Sequence, residues 1–159
     1  ERTYALLEQV SGRAGRGEKP GEVIIQTWWA NHPAILAAAR HDRRPFEEAE
    51  LAERKEAGYP PFSRLANVTF WSKQSSDVLA ASDAFAAELR ARVAADPAWE
   101  VLGPAACIKS RIKDRFRRHV MVKAPLDADL GSVLSACARM LPVKRGSNMS
   151  IDIDAYDMM

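Results

Sequence analysis

The sequence is poor in the features that most readily announce a chemistry. No apolar run approaches the ~20 residues of a membrane-spanning helix, and no charged-then-apolar leader opens the chain; no membrane partner is expected, and a cytoplasmic location is. Cysteine is scarce. Cys107 and Cys137 stand thirty positions apart without metal-ligand spacing, and Cys137 falls on the apolar side of an expected helix, so a buried thiol is its expected state and no metal site is assigned. His32, His41 and His119 share no spacing that points to catalysis. There is no Gly-x-x-x-x-Gly-Lys-Ser/Thr loop and no Asp-Glu-x-His element, so the chain by itself has no cradle for a nucleotide's phosphates and is not expected to hydrolyse one. The net charge of +2 is too small to argue for a polyanionic partner; only its distribution can.

What is present is ordinary for a globular chain: 159 residues, 47% hydrophobic and 28% charged, enough for one compact domain and a smaller piece. Thr3 to about Val10 reads as a helix closing in a Gly-rich loop. Lys19-Pro20-Gly21 is a turn, and Glu22–Thr27 a short β-branched strand. Trp28 and Trp29 point to opposite faces of an extended chain, so at most one belongs to a core; the other is expected against the next helix, with stacking on a base as the alternative. Pro33–Arg40 is a helix capped by Asn31 or His32, and Phe46–Ala57 a second one, stopped by Gly58 and Pro60-Pro61.

From Arg64 onward the pattern is strand, helix, strand, strand, helix, strand. Leu65–Ser72 is a strand. Ser75 or Ser76 caps a helix with Val78, Phe85, Leu89 and Val93 at the 3.6-residue period. Trp99–Leu102 is a short strand leading to Gly103-Pro104, and Cys107–Lys123 a hairpin turning near Lys113-Asp114. Asp127–Leu141 is a second amphipathic helix, through Leu130, Val133, Leu134, Cys137 and Leu141. Lys144–Asn148 is a turn and Ser150–Tyr156 the last strand. Two helices on one face of a sheet make an α+β sandwich.

Two stretches carry candidate chemistry. In Gln9-Val10-Ser11-Gly12-Arg13-Ala14-Gly15-Arg16-Gly17, two arginines stand three apart, each behind a glycine. That spacing places both guanidiniums near one side of a helical turn, where paired planar forks suit a polyphosphate. A basic helix end with a glycine stop explains the same residues. The second stretch holds Lys109, Arg111, Lys113, Arg115, Arg117 and Arg118 against the single acid Asp114. Regular alternation puts Lys109, Arg111 and Lys113 on one outer face, opposite Arg117, His119 and Lys123, while Phe116 and Arg118 turn inward and Arg118 lies at the sheet's end. Like charges across a hairpin are destabilising. Either Asp152 and Asp154 of the last strand neutralise them or the surface expects an anion; with no further ligand nearby, the two aspartates do not make a metal pair. No aromatic platform is apparent on the hairpin itself.

Gln9-x-x-Gly12-Arg13-x-Gly15-Arg16 is similar to motif VI of superfamily-two helicases. Adding Gly17-Glu18-Lys19-Pro20-Gly21-Glu22, Glu50-Leu51 with Arg54, Tyr59-Pro60-Pro61-Phe62, Leu102-Gly103-Pro104 and Ile151-Asp152-Ile153-Asp154, most of the chain resembles the C-terminal part of the primosomal protein N′ (PriA) family of bacterial replication-restart helicases. Ala155 stands where that family commonly has proline, and the match weakens around Asp42–Pro45. The resemblance implies a fragment: residues 1–30 as the end of a second RecA-like lobe, 31–61 as a helical connector, and 62–159 as a ribosomal-protein-like, DNA-binding terminal domain. In the intact parent it implies ATP and Mg2+, with Arg16 as the finger on the γ-phosphate, Arg13 in support, and Gln9, Gly12 and Gly15 at the nucleotide. Zinc belongs to a cysteine-rich module of the parent whose ligands are absent here. The implied partners are branched and single-stranded DNA, the acidic tail of single-stranded-DNA-binding protein, and primosome and helicase-loader proteins, in a nucleoid-associated setting. A non-catalytic DNA-binding adaptor that uses the basic hairpin alone is the competing function.

Overall fold

The computed structural model describes residues 2–14, 22–141 and 147–154. Two compact units divide the chain, Glu1–Glu53 and Arg54–Met159. In the first, α1 (Arg2–Ala14) packs on α2 (Pro33–Arg40). Pro33 fits the first turn of α2, where its missing N–H is not needed, and His32 caps that turn, its Nδ1 accepting from the Ala34 amide at 3.2 Å. The small core holds Tyr4, Ala34, Ala37, Ala38 and Phe46, with Tyr4 and Phe46 stacked at 5.2 Å. Phe46 comes from α3 (Arg44–Glu56).

Two expectations fail in this unit. Residues 22–27 form no strand, because a strand needs a neighbour to accept and donate its ladder bonds, and among the described residues none pairs with them. Val23 and Ile25 instead line a shallow groove of about 390 Å³ with Ser11, Ala14, Ile35 and Ala38. Neither tryptophan packs on α2: Trp28 is 100% and Trp29 76% exposed. The buried side of α2 is made of alanines, and Tyr4 and Phe46 fill the space they leave.

The second unit starts within α3, whose end is a left-handed Gly58 (φ +61°). The Tyr59 amide donates to the Arg54 carbonyl at 2.8 Å, and the Arg54 guanidinium to the Pro60 carbonyl at 3.0 Å. Then follow β1 (Arg64–Ser72), α4 (Ser75–Val93), β2 (Glu100–Ile112), β3 (Arg115–Ala124), α5 (Leu130–Met140) and β4 (Asn148–Ile153). The expected β-α-β-β-α-β order is present. The sheet runs β2-β3-β1-β4 with every neighbouring pair antiparallel, so β3 lies between β1 and β2, the split β-α-β arrangement.

Alternation decides which residues meet the helices. Ala66, Val68 and Phe70 of β1 and Val120, Val122 and Ala124 of β3 pack against Val78, Phe85 and Leu89 of α4 and Leu130, Leu134 and Cys137 of α5. Phe85 meets Phe70 edge-on at 5.4 Å. Asp129 caps α5, accepting from the Ser132 amide at 3.1 Å, and hydrogen bonding to the Ser132 side chain, then to its amide, holds the carboxyl below the usual range. At α4 the capping position is Gln74, one residue before the expected serines, and its side chain makes no cap bond. The turn expected at Lys144–Asn148 lies mostly outside the described residues.

β2 is longer than expected: one strand runs from Glu100 through Gly103-Pro104 to the hairpin. Gly103 (φ +89°) makes that possible. A Cβ there would sit 3.0 Å from both the Ala105 amide nitrogen and the His119 carbonyl oxygen, so the backbones approach closely only because the side chain is absent. The Arg90 guanidinium donates to the Gly103 carbonyl, tying α4 to the bulge.

Candidate nucleic-acid interface

The β2–β3 hairpin turns on Lys113 and Asp114, both with positive φ (48° and 58°), the two-residue turn whose twist matches the flanking strands. The turn sets Ile112 opposite Arg115 and Arg111 opposite Phe116. Further along, Ala106 faces Arg118 and Ala105 faces His119, with register shifts between Leu102 and Ala105 and between Ala106 and Arg111. Five steps along β2 are matched by two along β3 in that second interval.

Those shifts overturn the expected placement of Arg111. It shares the face of Phe116, which packs against the core. Its guanidinium lies 5.1 Å from the Phe116 ring centroid and 3.0 Å from Asp114 Oδ1. Arg118 also faces the helices, as expected, and is held there: Nη1 donates to Asp83 Oδ1 at 3.1 Å and Nη2 to the Pro104 carbonyl at 2.9 Å. Lys123 is engaged as well, with Glu100 and the Ala57 carbonyl, both at 2.9 Å, and above the Tyr59 ring at 4.5 Å. Lys109, Lys113, Arg115 and Arg117 remain, and none of them has a carboxylate partner among the described residues.

The last strand does not compensate them. β4 lies at the far edge of the sheet, separated from the hairpin by β1. Asp152 faces Asn67 in register, and Asp154 pairs with Arg64 at 2.8 Å. The acids that do answer the hairpin's cations, among the described residues, are Asp114 in its own turn, Asp83 on α4 and Glu100 on β2.

The sheet face turned away from α4 and α5 is the second part of the surface. Arg117, His119, Met121 and Lys123 of β3 stand there opposite Trp71, Thr69, Asn67 and Leu65 of β1, while Asn148, Ser150 and Asp152 of β4 flank β1 on its other side. Arg117 sets the field at this end. Burial lowers the His119 pKa and Arg117 lowers it further, so the imidazole is neutral at neutral pH. Burial raises the Cys107 thiol, against which Arg117 pulls. Trp71 lies inside the expected strand Leu65–Ser72, where composition alone does not separate it from the core residues. The signal was its neighbour: adjacent aromatics on a strand face opposite ways, and Phe70 is 1% exposed.

In the first unit Gln9, Gly12 and Arg13 all lie on α1, which continues through Ala14 rather than ending near Val10. Gly12 is therefore helical, not part of a loop, and a side chain there would meet open space. Arg13 is exposed on the last turn. Gly15 and Arg16 lie outside the described residues. Among the described residues, Gln9, Gly12 and Arg13 supply one helix edge and no phosphate cradle. Nor do they fit zinc: Cys137 sits in the core and Cys107 is half-buried on β2. Among the described residues no three His, Cys, Asp or Glu side chains cluster, and no helix is long and apolar enough to cross a membrane.

The chain is 40% identical over its whole length to the replication restart protein PriA of Bacillus subtilis, of which it spans 20%. It is also 40% identical over its whole length to that of Treponema pallidum, spanning 24%. To that of Synechocystis it is 35% identical over 97% of the chain, spanning 18%. The chain thus covers about a fifth of the length of these relatives. Residues 55–156, which include the whole sheet, match the family described as Primosomal protein N C-terminal domain, and the chain belongs to that family.

Proposed function

We propose that this chain is the DNA-holding end of an ATP-driven helicase that recognises stalled or branched replication forks and restarts replication by assembling a primosome. The observation that carries the proposal is the set of four hairpin cations, Lys109, Lys113, Arg115 and Arg117, which have no carboxylate partner among the described residues, in a domain of a replication-restart family. Cations without a carboxylate partner suit a phosphate backbone, which gives affinity without reading sequence. Arg111 and Arg118 contribute by shaping the hairpin rather than by touching phosphate.

In this proposal residues 1–30 close a RecA-like lobe, 31–61 connect, and 62–159 hold branched or single-stranded DNA. Bound MgATP supplies the γ-phosphoryl group whose transfer to water drives translocation in the parent. In the intact parent Arg16 would be the finger beside the γ-phosphate, a role worth about 10³–10⁵ in rate where such fingers have been measured. Arg13 supports it, and Gln9, Gly12 and Gly15 form the edge of the nucleotide site. Primosome and loader proteins and the acidic tail of single-stranded-DNA-binding protein are the proposed partners, in a cytoplasmic, nucleoid-associated setting. The test is a salt titration of labelled fork DNA against the purified chain. Binding should weaken linearly in log–log form, at about −0.9 per phosphate neutralised on duplex; no binding at low salt would overturn the proposal.

A further inference from the structure

We infer that the open sheet face around Trp71 stacks an unpaired base of single-stranded DNA, so that this domain holds single strands by base as well as by phosphate. The inference rests on the DNA-binding reading above and adds a mode of contact that the hairpin charges alone do not provide.

Trp71 stands directly across from Arg117 on β3 and from Asn148 on β4, and side chains opposed in this way lie about 4.5–5.5 Å apart at Cβ. The next row along the face is His119, Thr69 and Ser150. The indole is part-buried, and its nearest neighbours on this face are polar; the apolar members, Met121 and the buried Leu65, lie farther along toward the other end. Arg117 beside it has no acid among the described residues. Arg115, exposed, follows Arg117 on the same face of β3 and leads to the hairpin tip. The acids of this face, Glu100 and Asp152, lie with the Lys123 and Asn67 rows, away from the indole. One end of the sheet thus offers an aromatic plane with cations next to it, and the other end is neutralised.

That combination takes single-stranded nucleic acid. A base has a π-face that stacks on an indole regardless of sequence, and its phosphates reach the flanking guanidiniums. Four-stranded sheets of this connectivity present stacking aromatics from their central strands in other nucleic-acid-binding modules, and β1 is a central strand here. A duplex cannot make the contact, because its bases are already stacked on each other.

The experiment compares three probes on the purified chain: a thymidine oligonucleotide of about 15 nucleotides, an abasic backbone of equal length, and a duplex. Wild type should bind the thymidine strand more tightly than the abasic one. Trp71→Ala should lower affinity for the thymidine strand by about 5- to 150-fold while changing abasic and duplex affinities less than about twofold. Trp71→Phe should restore most of the loss. A thymidine strand carrying 5-iodouracil, irradiated on the wild-type chain, should cross-link at Trp71, and this readout decides the matter even where Trp71→Ala does not fold. Equal binding of thymidine and abasic strands, with cross-links elsewhere, would overturn the stacking contact and leave the phosphate reading standing. Absence of binding to all three probes would remove both.

Discussion

The two faces of the sheet come from the same strands and obey opposite rules. Toward α4 and α5, Val68, Val120, Val122, Phe85 and Leu89 are fully buried, and the cations that turn that way are answered, Arg118 by Asp83 and Arg111 by Asp114 and the Phe116 ring. Toward the open side, Trp71, Arg117, His119 and Ser150 form a mixed surface, and the arginine there has no acid among the described residues. One residue step along β3, from Arg117 to Arg118, separates a cation available to a ligand from one consumed by the fold. Counting charge along the sequence cannot make that distinction; the pleat makes it.

The sharpest way to break the comparison is to damage the closed face. Phe85→Ala removes a ring packed against Phe70 and should cost about 3–5 kcal/mol, read from the midpoint of urea unfolding. Thr69→Ala on the open face should stay within about 0.5 kcal/mol. Equal costs would mean the open face is also core. A smaller effect is expected at Gly103. A methyl group there meets two backbone atoms at 3.0 Å, with φ at +89°, so Gly103→Ala should destabilise by about 1–3 kcal/mol.

The charge contrast is tested by two double substitutions. Arg115→Ala with Arg117→Ala should flatten the salt dependence of DNA binding by up to about two units and weaken all sequences alike. Arg111→Ala with Arg118→Ala should leave that slope nearly unchanged and instead lower stability. The Arg118 share is about 1 kcal/mol, since its partner Asp83 is 60% exposed and only the Pro104 carbonyl contact is sheltered. Identical slopes for the two variants would mean that facing, as assigned by register, does not decide which cations meet DNA.

Much of the second unit was legible in the sequence because its signals are periodic. Val78, Phe85 and Leu89 mark a helix by spacing alone, as do Leu130, Leu134 and Cys137, and all six are buried. Lys113-Asp114 as a turn followed from a polar break between two alternating runs. The failures share a different cause: they depend on what lies beside the chain. The shifts in β2 rotated Arg111 to the other face, and no local pattern announces a bulge of that size. Residues 22–27 have strand composition but no strand beside them among the described residues. The tryptophans at 28 and 29 follow a hydrophobic run, yet the helix beyond them buries alanines. Trp71 was legible in principle, from its position next to Phe70, but its significance came from Arg117 and Asn148, which are distant in sequence.

The smallest expected effect concerns the acids that the sequence assigned to the hairpin. Asp154 ends β4 with φ 57° and holds Arg64, which donates to both carboxylate oxygens and to the Ala128 carbonyl. The hydrogen bond from Arg64 is the main reason its carboxyl titrates below the usual range. A carboxylate depressed in the folded state binds its proton more weakly than in the unfolded chain. Its stabilisation is therefore complete above the unfolded value, near 3.9, and is lost as pH falls through the lower folded value. The pair is partly exposed, with side chains 30% and 56% accessible, so solvent screening limits it to about 1 kcal/mol or less. Asn tolerates the left-handed backbone as Asp does, so Asp154→Asn removes the charge without straining the turn. At pH 7 the variant should be slightly less stable than the parent, and the gap should close in urea unfolding carried out at successively lower pH, below about 4. DNA binding at neutral pH should keep its salt slope, because β4 lies across β1 from the hairpin. A steeper slope in Asp154→Asn would instead show that this aspartate does screen the DNA-facing cations, and the separation of the two edges of the sheet would then not hold for electrostatics.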